Sequence, residues 1–532
     1  MNLAATPTVI HPPARKVSSL WRGYLIFTLC AATYLLPFMR IIFLGSDQGT
    51  LLYGAVRIVH GQVFARDFFE AMGPGTFYYL AAFFKLFGVT FLASRICLFV
   101  SSLGTGISIY FLSRRACGRY RMLPCLVFAG TCFGAVWPGI SHHVDSNFFA
   151  LLSVVCLALW YASRKNFLLI AAGSLAGVTT CVLQPKGMLL FCAFLVWLWL
   201  LRRKVSAPLS ALGLVTGGYF GFIGLVLAYF WSQGALGSLV YVDYVYPSQH
   251  YTAVNNVVYA QGILKDYWTP WVTAGGGWFV GIAAILIAPL LFIAALPFLM
   301  IALGIRSKWR YITPEITLYW LCGWALWLSE LHRRDIYHLV FGSPLLIILF
   351  FHVVGESRRK AVQAAVWTLA VAAVCLAIFN FVNAAVAGRT ISTRAGTVAI
   401  LGSDQVLMFL NEHVSPGEEI LVYPYAPTYY FLSATTNPTR YSFLMYNYNT
   451  PSQFREVIDI LDQRRVRYVI WDTNFGPKVA GEIFPGSWPR SPRDLILEPY
   501  LESHYRLVED DSGIHIMERK GEDLEKERRN IP

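Results

Sequence analysis

Long apolar runs recur along this chain of 532 residues, at 188–201, 211–231, 278–303 and 361–382. Each is close to or above the ~20 residues that cross a bilayer as a helix. Inside a membrane the backbone is satisfied only by helices or a closed barrel, so runs of this length dictate a polytopic helical protein. The hydrophobic fraction of 56% exceeds the roughly 45–50% of a soluble domain. About eleven spans are expected, near 21–44, 91–112, 121–138, 146–162, 167–183, 187–201, 209–232, 276–303, 315–331, 338–354 and 361–383.

The formal net charge of +13 does not point to nucleic acid, because the basic residues sit in short gaps between spans. Arg15/Lys16/Arg22, Arg114/Arg115/Arg119/Arg121, Arg164/Lys165, Arg202/Arg203/Lys204, Arg306/Lys308/Arg310 and Arg358/Arg359/Lys360 occupy every second gap. That is the positive-inside pattern, which predicts a cytoplasmic amino terminus and an outside location for everything after Val382. The first run, 21–44, is too long for a signal-peptide core and carries no evident cleavage site, so it reads as a retained span. None of the ten cysteines lies beyond Cys375, and no disulfide or zinc spacing is present.

From Thr390 onward the pattern changes. "EEILVYPY" and "RYVIWD" read as strands, while "SDQVLMFLNEHV" and "PSQFREVIDILDQRR" carry helical spacing. The expected organisation is a cytoplasmic segment (1–20), a transmembrane catalytic domain (21–389), an extracytoplasmic α/β domain (390–520) and a charged, disordered tail (521–532).

The pentapeptide "LGSDQ" occurs twice, at 44–48 and 401–405. In the second copy Ser403 and Asp404 precede an amphipathic helix, an ordinary helix-capping arrangement. The first copy opens the loop "GSDQGTLLYGAVRIVHGQVFARDFFEAMGPGTFYYLAAFFKLFG". There a short amphipathic helix follows Asp47, predicted to lie on the outer membrane surface, and a second apolar stretch follows Pro74–Gly75. Asp47, Arg66, Asp67 and Glu70 thus fall just outside the bilayer, and at Asp47 capping and chemistry both remain open.

An acid after the first span, then "LLYGAVRIVHGQVFARDFFE", then "GPGTFYYLAAFFKLFG" and "ASR", resembles the first outside loop of GT-C membrane glycosyltransferases. The nearest branch is that of protein O-mannosyltransferases and aminoarabinose transferases. Many members have a second acid where this chain has Gln48, and aminoarabinose transferases have a Lys beside the second-motif acid, where Glu70 is followed here by Ala71. The resemblance therefore does not specify the sugar.

It implies a GT-C fold and inverting transfer of a sugar from a polyprenyl-phosphate donor to a lipid, glycan or protein acceptor, without cofactor, in a bacterial inner membrane. Such chemistry needs a carboxylate to take the acceptor's proton, for which Asp47 fits, with Glu70 and Asp145 as further acids. The leaving phosphate needs cations. Lys186 in "LQPKG" and Arg333, Arg334 and His338 in "LHRRDIYH" are candidates, and loop solvation or headgroup contact is the alternative. "SHHVDSN" offers His142, His143 and Asp145 as a substrate wall, with Asp145 as a mere cap remaining open. The motif lacks a fourth ligand at recognisable spacing, so no metal is expected. Arg66 and Asp67 are further substrate-binding candidates. Tyr-rich "YVDYVYPSQHY" suits sugar rings or interface anchoring equally, and "YPYAPTYYF" suits packing. A transporter would carry ionisable groups inside its spans, where few are evident; a flippase, a polysaccharide polymerase or a non-catalytic scaffold are the other readings.

Overall fold

The structure is a computed structural model that describes residues 17–42, 44, 47–132, 139–205, 207–251, 254–255, 257, 296–306, 312–333, 336–355, 357, 359–403, 405–489 and 491–521. Arg334, Asp404, most of the expected span 276–303 and nearly all of the tail lie outside the described residues.

The first helix, α1 (Val17–Leu35), continues through a 3₁₀ turn, Leu36–Arg40, into the short strand β1 (Ile41–Ile42). The first loop then forms α2 (Asp47–Val59) and α3 (Gly75–Phe87). The bundle continues with α4 (Phe91–Ala116), α5 (Leu123–Cys132), α6 (His142–Ser163), α7 (Phe167–Val182), α8 (Gln184–Leu200) and α9 (Pro208–Ser232). After the short α10 (Leu236–Val240) come α11 (Leu296–Arg306), α12 (Pro314–Ser329), α13 (Ile336–Gly342), α14 (Pro344–Gly355) and α15 (Lys360–Val386). Among the described residues, α4, α6, α9, α15 and the segment Trp21–Arg40 are long and apolar enough to cross a membrane, while α7, α8 and α14 are shorter apolar helices.

Two expected boundaries move for local reasons. The span expected from 146 begins at His142, because Ser141 adopts extended backbone and accepts the His143 N–H at 3.2 Å. The span expected over 338–354 is two helices, since Pro344 opens α14 after the break at Ser343. Within the bundle α7 and α9 approach closely through glycines: a β-carbon on Gly173 would lie 2.1 Å from the Val215 carbonyl, and one on Gly218 2.3 Å from that of Ile170. Small residues at such a crossing let backbones meet where no hydrophobic force drives helices together.

The carboxy-terminal region alternates strands and helices as its sequence suggests: β2 (Arg389–Thr393), β3 (Gly396–Ile400), α16 (Gln405–His413), β4 (Ile420–Tyr423), α17 (Thr428–Ser433), α18 (Pro451–Arg464), β5 (Tyr468–Asp472), α19 (Pro477–Ile483), α20 (Leu497–His504), β6 (Tyr505–Asp511) and β7 (Ile514–Arg519). A four-stranded sheet runs β4-β5-β7-β6, with β4 and β5 parallel. α18 carries a capping box built on Thr450 and Gln453. A second sheet, β1-β3-β2, joins the two ends of the chain: Ile41 and Ile42 pair in parallel with Ala399 and Ile400.

That strand pairing seats the carboxy-terminal region on the first loop. α2 packs between α3 and α17, and Gly49 permits the approach, since a β-carbon there would lie 2.3 Å from the Thr428 backbone nitrogen. The expectation of a surface-lying α2 is therefore corrected. Its residues 48–55, with Arg57 and Ile58, are buried. The polar groups that make it amphipathic meet protein partners: Arg57 donates to the carbonyls of Thr439 and Asn437, and Tyr53 accepts the Asn437 N–H at 2.7 Å.

Candidate active site

Asp47 is the first residue of α2, and its carboxylate is half-buried at the seam with the carboxy-terminal region. The phenol of Tyr425, just after β4, donates a hydrogen bond to Asp47 Oδ1. Burial, reinforced by the Asp47 carboxylate, holds the Tyr425 phenol well above its usual range, so it stays a proton donor at neutral pH. Its ring is packed by Phe443, Phe475 and Phe484 at centroid distances of 5.3, 5.6 and 5.7 Å. Phe484 also lies 5.2 Å beneath the Arg333 guanidinium. Arg333 donates to Asn255 Oδ1 and, at 2.8 Å, to the Ile483 carbonyl. The charge of Arg333 and the ring of Tyr251 are both felt by the Tyr425 phenol. Residues from distant stretches of sequence thus pack around the phenol that holds the Asp47 carboxylate.

Glu70, in the loop after α2, is 1% exposed, and neither carboxylate oxygen has a hydrogen-bond partner at normal geometry. Burial drives its carboxyl up to about 8, against the smaller opposing pulls of Ser442 and Arg57, and the Asp47 charge adds to the rise. At neutral pH Glu70 is therefore mostly protonated. Two neighbouring acids in unlike environments are an arrangement that separates proton acceptor from proton holder.

Arg66 and Asp67 do something else. Arg66 grips Asp67 with two hydrogen bonds of 2.9 and 2.8 Å and donates to the Gln233 carbonyl at 2.8 Å. The Arg66 hydrogen bond holds the Asp67 carboxyl below its usual range. The pair is largely solvent-facing and ties the first loop to the end of α9. A cavity of about 500 Å³ opens beside Phe69, lined also by Tyr241, Arg440 and Glu456, and not by Asp47.

A second charged cluster sits where α6, α8 and α12 end. Lys186, in the first turn of α8, is fully buried and pairs with Glu330 Oε1 at 2.6 Å, while donating to Asn147 Oδ1 at 2.9 Å and Ser146 Oγ at 3.1 Å. Glu330 Oε2 lies 3.1 Å from Nδ1 of His143. The rings of His143 and His338 are 4.6 Å apart, and His142 and His332 flank them. Lys186 and His338 were expected to face an outside phosphate; here the Lys186 charge is already compensated by a buried carboxylate. Asp145 is not the cap of α6, a place held by Ser141. It lies in the first turn, 2% exposed, and accepts from Ser101 Oγ at 2.7 Å. The spans therefore carry more buried ionisable groups at their ends than hydropathy suggests.

Sequence reading missed Tyr425 and Glu330. The first lay in a Tyr-rich stretch that reads as packing. The second ended an apolar run, where an acid is easily absorbed into a span; its position on the same expected side as Lys186 was the available signal.

The chain matches the sequence model of the dolichyl-phosphate-mannose-protein mannosyltransferase family over residues 71–226. Its structure is similar to that of ArnT from Cupriavidus metallidurans bound to undecaprenyl phosphate, with a TM-score of 0.54, 11% identity and coverage of 94% of this chain and 98% of that one. The chain has the GT-C fold. Apo ArnT gives a TM-score of 0.44 at 11% identity, covering 95% of this chain and 99% of that one. Arabinosyltransferase EmbB from Mycobacterium smegmatis gives 0.36 at 15% identity, covering 71% and 42%. No curated protein is significantly similar in sequence. On this GT-C fold the family match begins at Ala71, directly after Glu70, and runs through α3 to α9.

Proposed function

We propose that the chain is a membrane glycosyltransferase that moves a sugar from a polyprenyl-phosphate donor to an acceptor outside the membrane, inverting the anomeric carbon, with Asp47 as general base. The observation that carries this reading is the half-exposed Asp47 carboxylate held by the Tyr425 phenol, with Arg333 close enough to act on that phenol and Asp47 close enough to act on Glu70. The likeness to an ArnT structure holding undecaprenyl phosphate supports the donor class.

In this reading the acceptor hydroxyl attacks the anomeric carbon from the face opposite the phosphate and gives its proton to Asp47. The bond from anomeric carbon to phosphate oxygen breaks, and its electron pair leaves with the lipid phosphate. Arg333 is the cation suited to that developing charge, its guanidinium being part-exposed near the base. Tyr425 positions Asp47. Glu70, buried and protonated, does not compete for the acceptor's proton. Asp145 and Lys186 support the bundle from behind the site. Arg334 remains a second candidate phosphate contact. The bacterial inner membrane is the proposed location, with basic gaps cytoplasmic and the carboxy-terminal region outside. A reporter active only outside the cytoplasm should then work when fused after Arg389 and be silent near Lys204; the reverse result removes the orientation.

The deciding assay incubates purified protein with a panel of radiolabelled polyprenyl-phosphate sugars and membrane-extracted acceptors. Transfer or hydrolysis of a donor by the wild type and its loss in Asp47→Asn is the expected result. Equal turnover by both proteins overturns the assignment of the base.

A further inference from the structure

One group of side chains at the ends of α6, α12 and α13 is used by no step above. One ligand atom from each of His143, Glu330 and His338 lies within 4.8 Å of the other two, and all three residues are buried. Glu330 and His338 belong to one short segment, but His143 lies far from both in sequence, so no spacing rule would have joined the three. Glu330 Oε1 is held by Lys186 at 2.6 Å, and Lys186 is fixed in turn by Ser146 and Asn147. The other oxygen, Oε2, takes no aligned hydrogen bond although it lies 3.1 Å from His143 Nδ1. A nitrogen and an oxygen bound to one tetrahedral zinc ion, each roughly 2.0–2.2 Å from it, are about 3.3 Å apart. The separation is that of two ligands around a small cation. His143 Nδ1 also lies 3.3 Å from Oε1, so the imidazole faces both carboxylate oxygens while Oε2 takes no aligned hydrogen bond.

We propose that His143, Glu330 and His338 bind a zinc ion, with the fourth position open to water or an anionic oxygen. Two imidazoles and one carboxylate are a ligand set that zinc takes when it keeps an exchangeable position. The contact from Lys186 orients the carboxylate by occupying one oxygen and presenting the other, the role that partners behind a metal ligand usually play. A bound dication beside Lys186 leaves net positive charge in a buried place, which favours an anion at the open position. The rival is a metal-free cluster in which Lys186 and His143 simply share Glu330.

The inference stands apart from sugar transfer and is tested without it. Full-length protein in detergent is stripped with chelator, incubated with zinc chloride, desalted, and its metal measured by mass spectrometry; cobalt chloride is added to a parallel sample. The expected result is about one zinc per chain, with visible cobalt bands of tetrahedral intensity. His338→Ala keeps the Lys186–Glu330 pair and should weaken zinc binding by about 100-fold or more, beyond the 10–100-fold typical of losing an outer partner. His60→Ala, in an exposed turn far from the cluster in sequence, should bind as the wild type does. Wild-type protein that retains less than about a tenth of an equivalent and gives no cobalt bands overturns the proposal, as does full retention by His338→Ala. Should His338→Ala not accumulate, the wild type alone decides: zinc must raise its melting temperature and chelator reverse the rise.

Discussion

Asp47 and Glu70 lie at the seam between the first loop and the carboxy-terminal region; Lys186 and Glu330 lie where helices of the bundle end. In the bundle cluster Lys186 and Glu330 are sealed from water and pair with each other, and Ser146 and Asn147 accept further hydrogen bonds from Lys186. At the seam, Glu70 is equally sealed but lies against Ser442, with no cation at ion-pair distance among the described residues, and Asp47 is held by the Tyr425 phenol. A carboxylate paired with a lysine has its charge compensated, whereas one held by a phenol has a hydrogen bond without an opposite charge. The expected division is that the lysine pair holds helices in place and the seam acids serve the chemistry.

The sharpest way to break this comparison is to remove one member of each cluster. Asp47→Asn should insert and fold, because Asn matches Asp in size and its amide oxygen can still accept the Tyr425 hydrogen bond. It should lose transfer by about 10²–10⁴-fold in a single-turnover assay. Lys186→Met should do the opposite. It leaves Glu330 buried without its counter-charge, at about 3–5 kcal/mol of stability, read as lower accumulation and a lower melting temperature in detergent. If Lys186→Met is stable but inactive, the bundle cluster belongs to the catalytic site and the division fails.

Arg333→Gln tests the cation at the seam. It should lower turnover by about 10²–10³-fold, the usual cost of losing one contact to developing negative charge, with insertion unchanged. Unaltered turnover would shift the phosphate contact to Arg334.

Glu70 gives a pH signature. Its folded carboxyl is raised to about 8 from an ordinary 4.5, so the folded chain keeps a proton that the unfolded chain has lost. Stability is then greatest below about pH 4.5 and declines as pH rises towards 8, by on the order of 3 kcal/mol at pH 7. Glu70→Gln should flatten that slope, melting higher than wild type at pH 8 and nearly the same at pH 4.5. Parallel melting curves for both proteins would place Glu70 in a wetter setting than the one described.

Tyr425→Phe carries the smallest effect. Losing one hydrogen bond to a carboxylate costs about 1.5–3 kcal/mol, an order of magnitude or somewhat more in rate. If Tyr425 positions the base, kcat falls while the donor KM holds. A rise in KM alone would make it a donor contact instead.

Much of the fold was legible because bilayer length and basic gaps are strong one-dimensional signals, and α4, α6, α7, α8, α9 and α15 fall close to where hydropathy puts them. Asp47 was legible too, since it follows the first span and opens an unusual loop. Other features depended on contacts between remote segments. Whether the polar face of α2 meets water or protein is decided by residues near 430, which local periodicity cannot see. Tyr425 looked like packing because its ring is indeed packed, and only its phenol is at work. Arg66 and Asp67 looked like site residues by proximity in sequence, but being neighbours they satisfy each other.

The pairing of Ile41–Ile42 with Ala399–Ile400 has a consequence for synthesis. The strand that leads into Asp47 is among the first parts of the chain to emerge, and its partner is made some 350 residues later. At roughly 5–20 residues per second, that is an interval of tens of seconds or more. During it the first loop has neither its strand partner, nor the lid over α2, nor Tyr425. The surroundings of Asp47 are thus complete only once the carboxy-terminal region has docked. On the proposed function, a chain lacking the carboxy-terminal region would be expected to be inactive, because Asp47 would lack both Tyr425 and its strand partner.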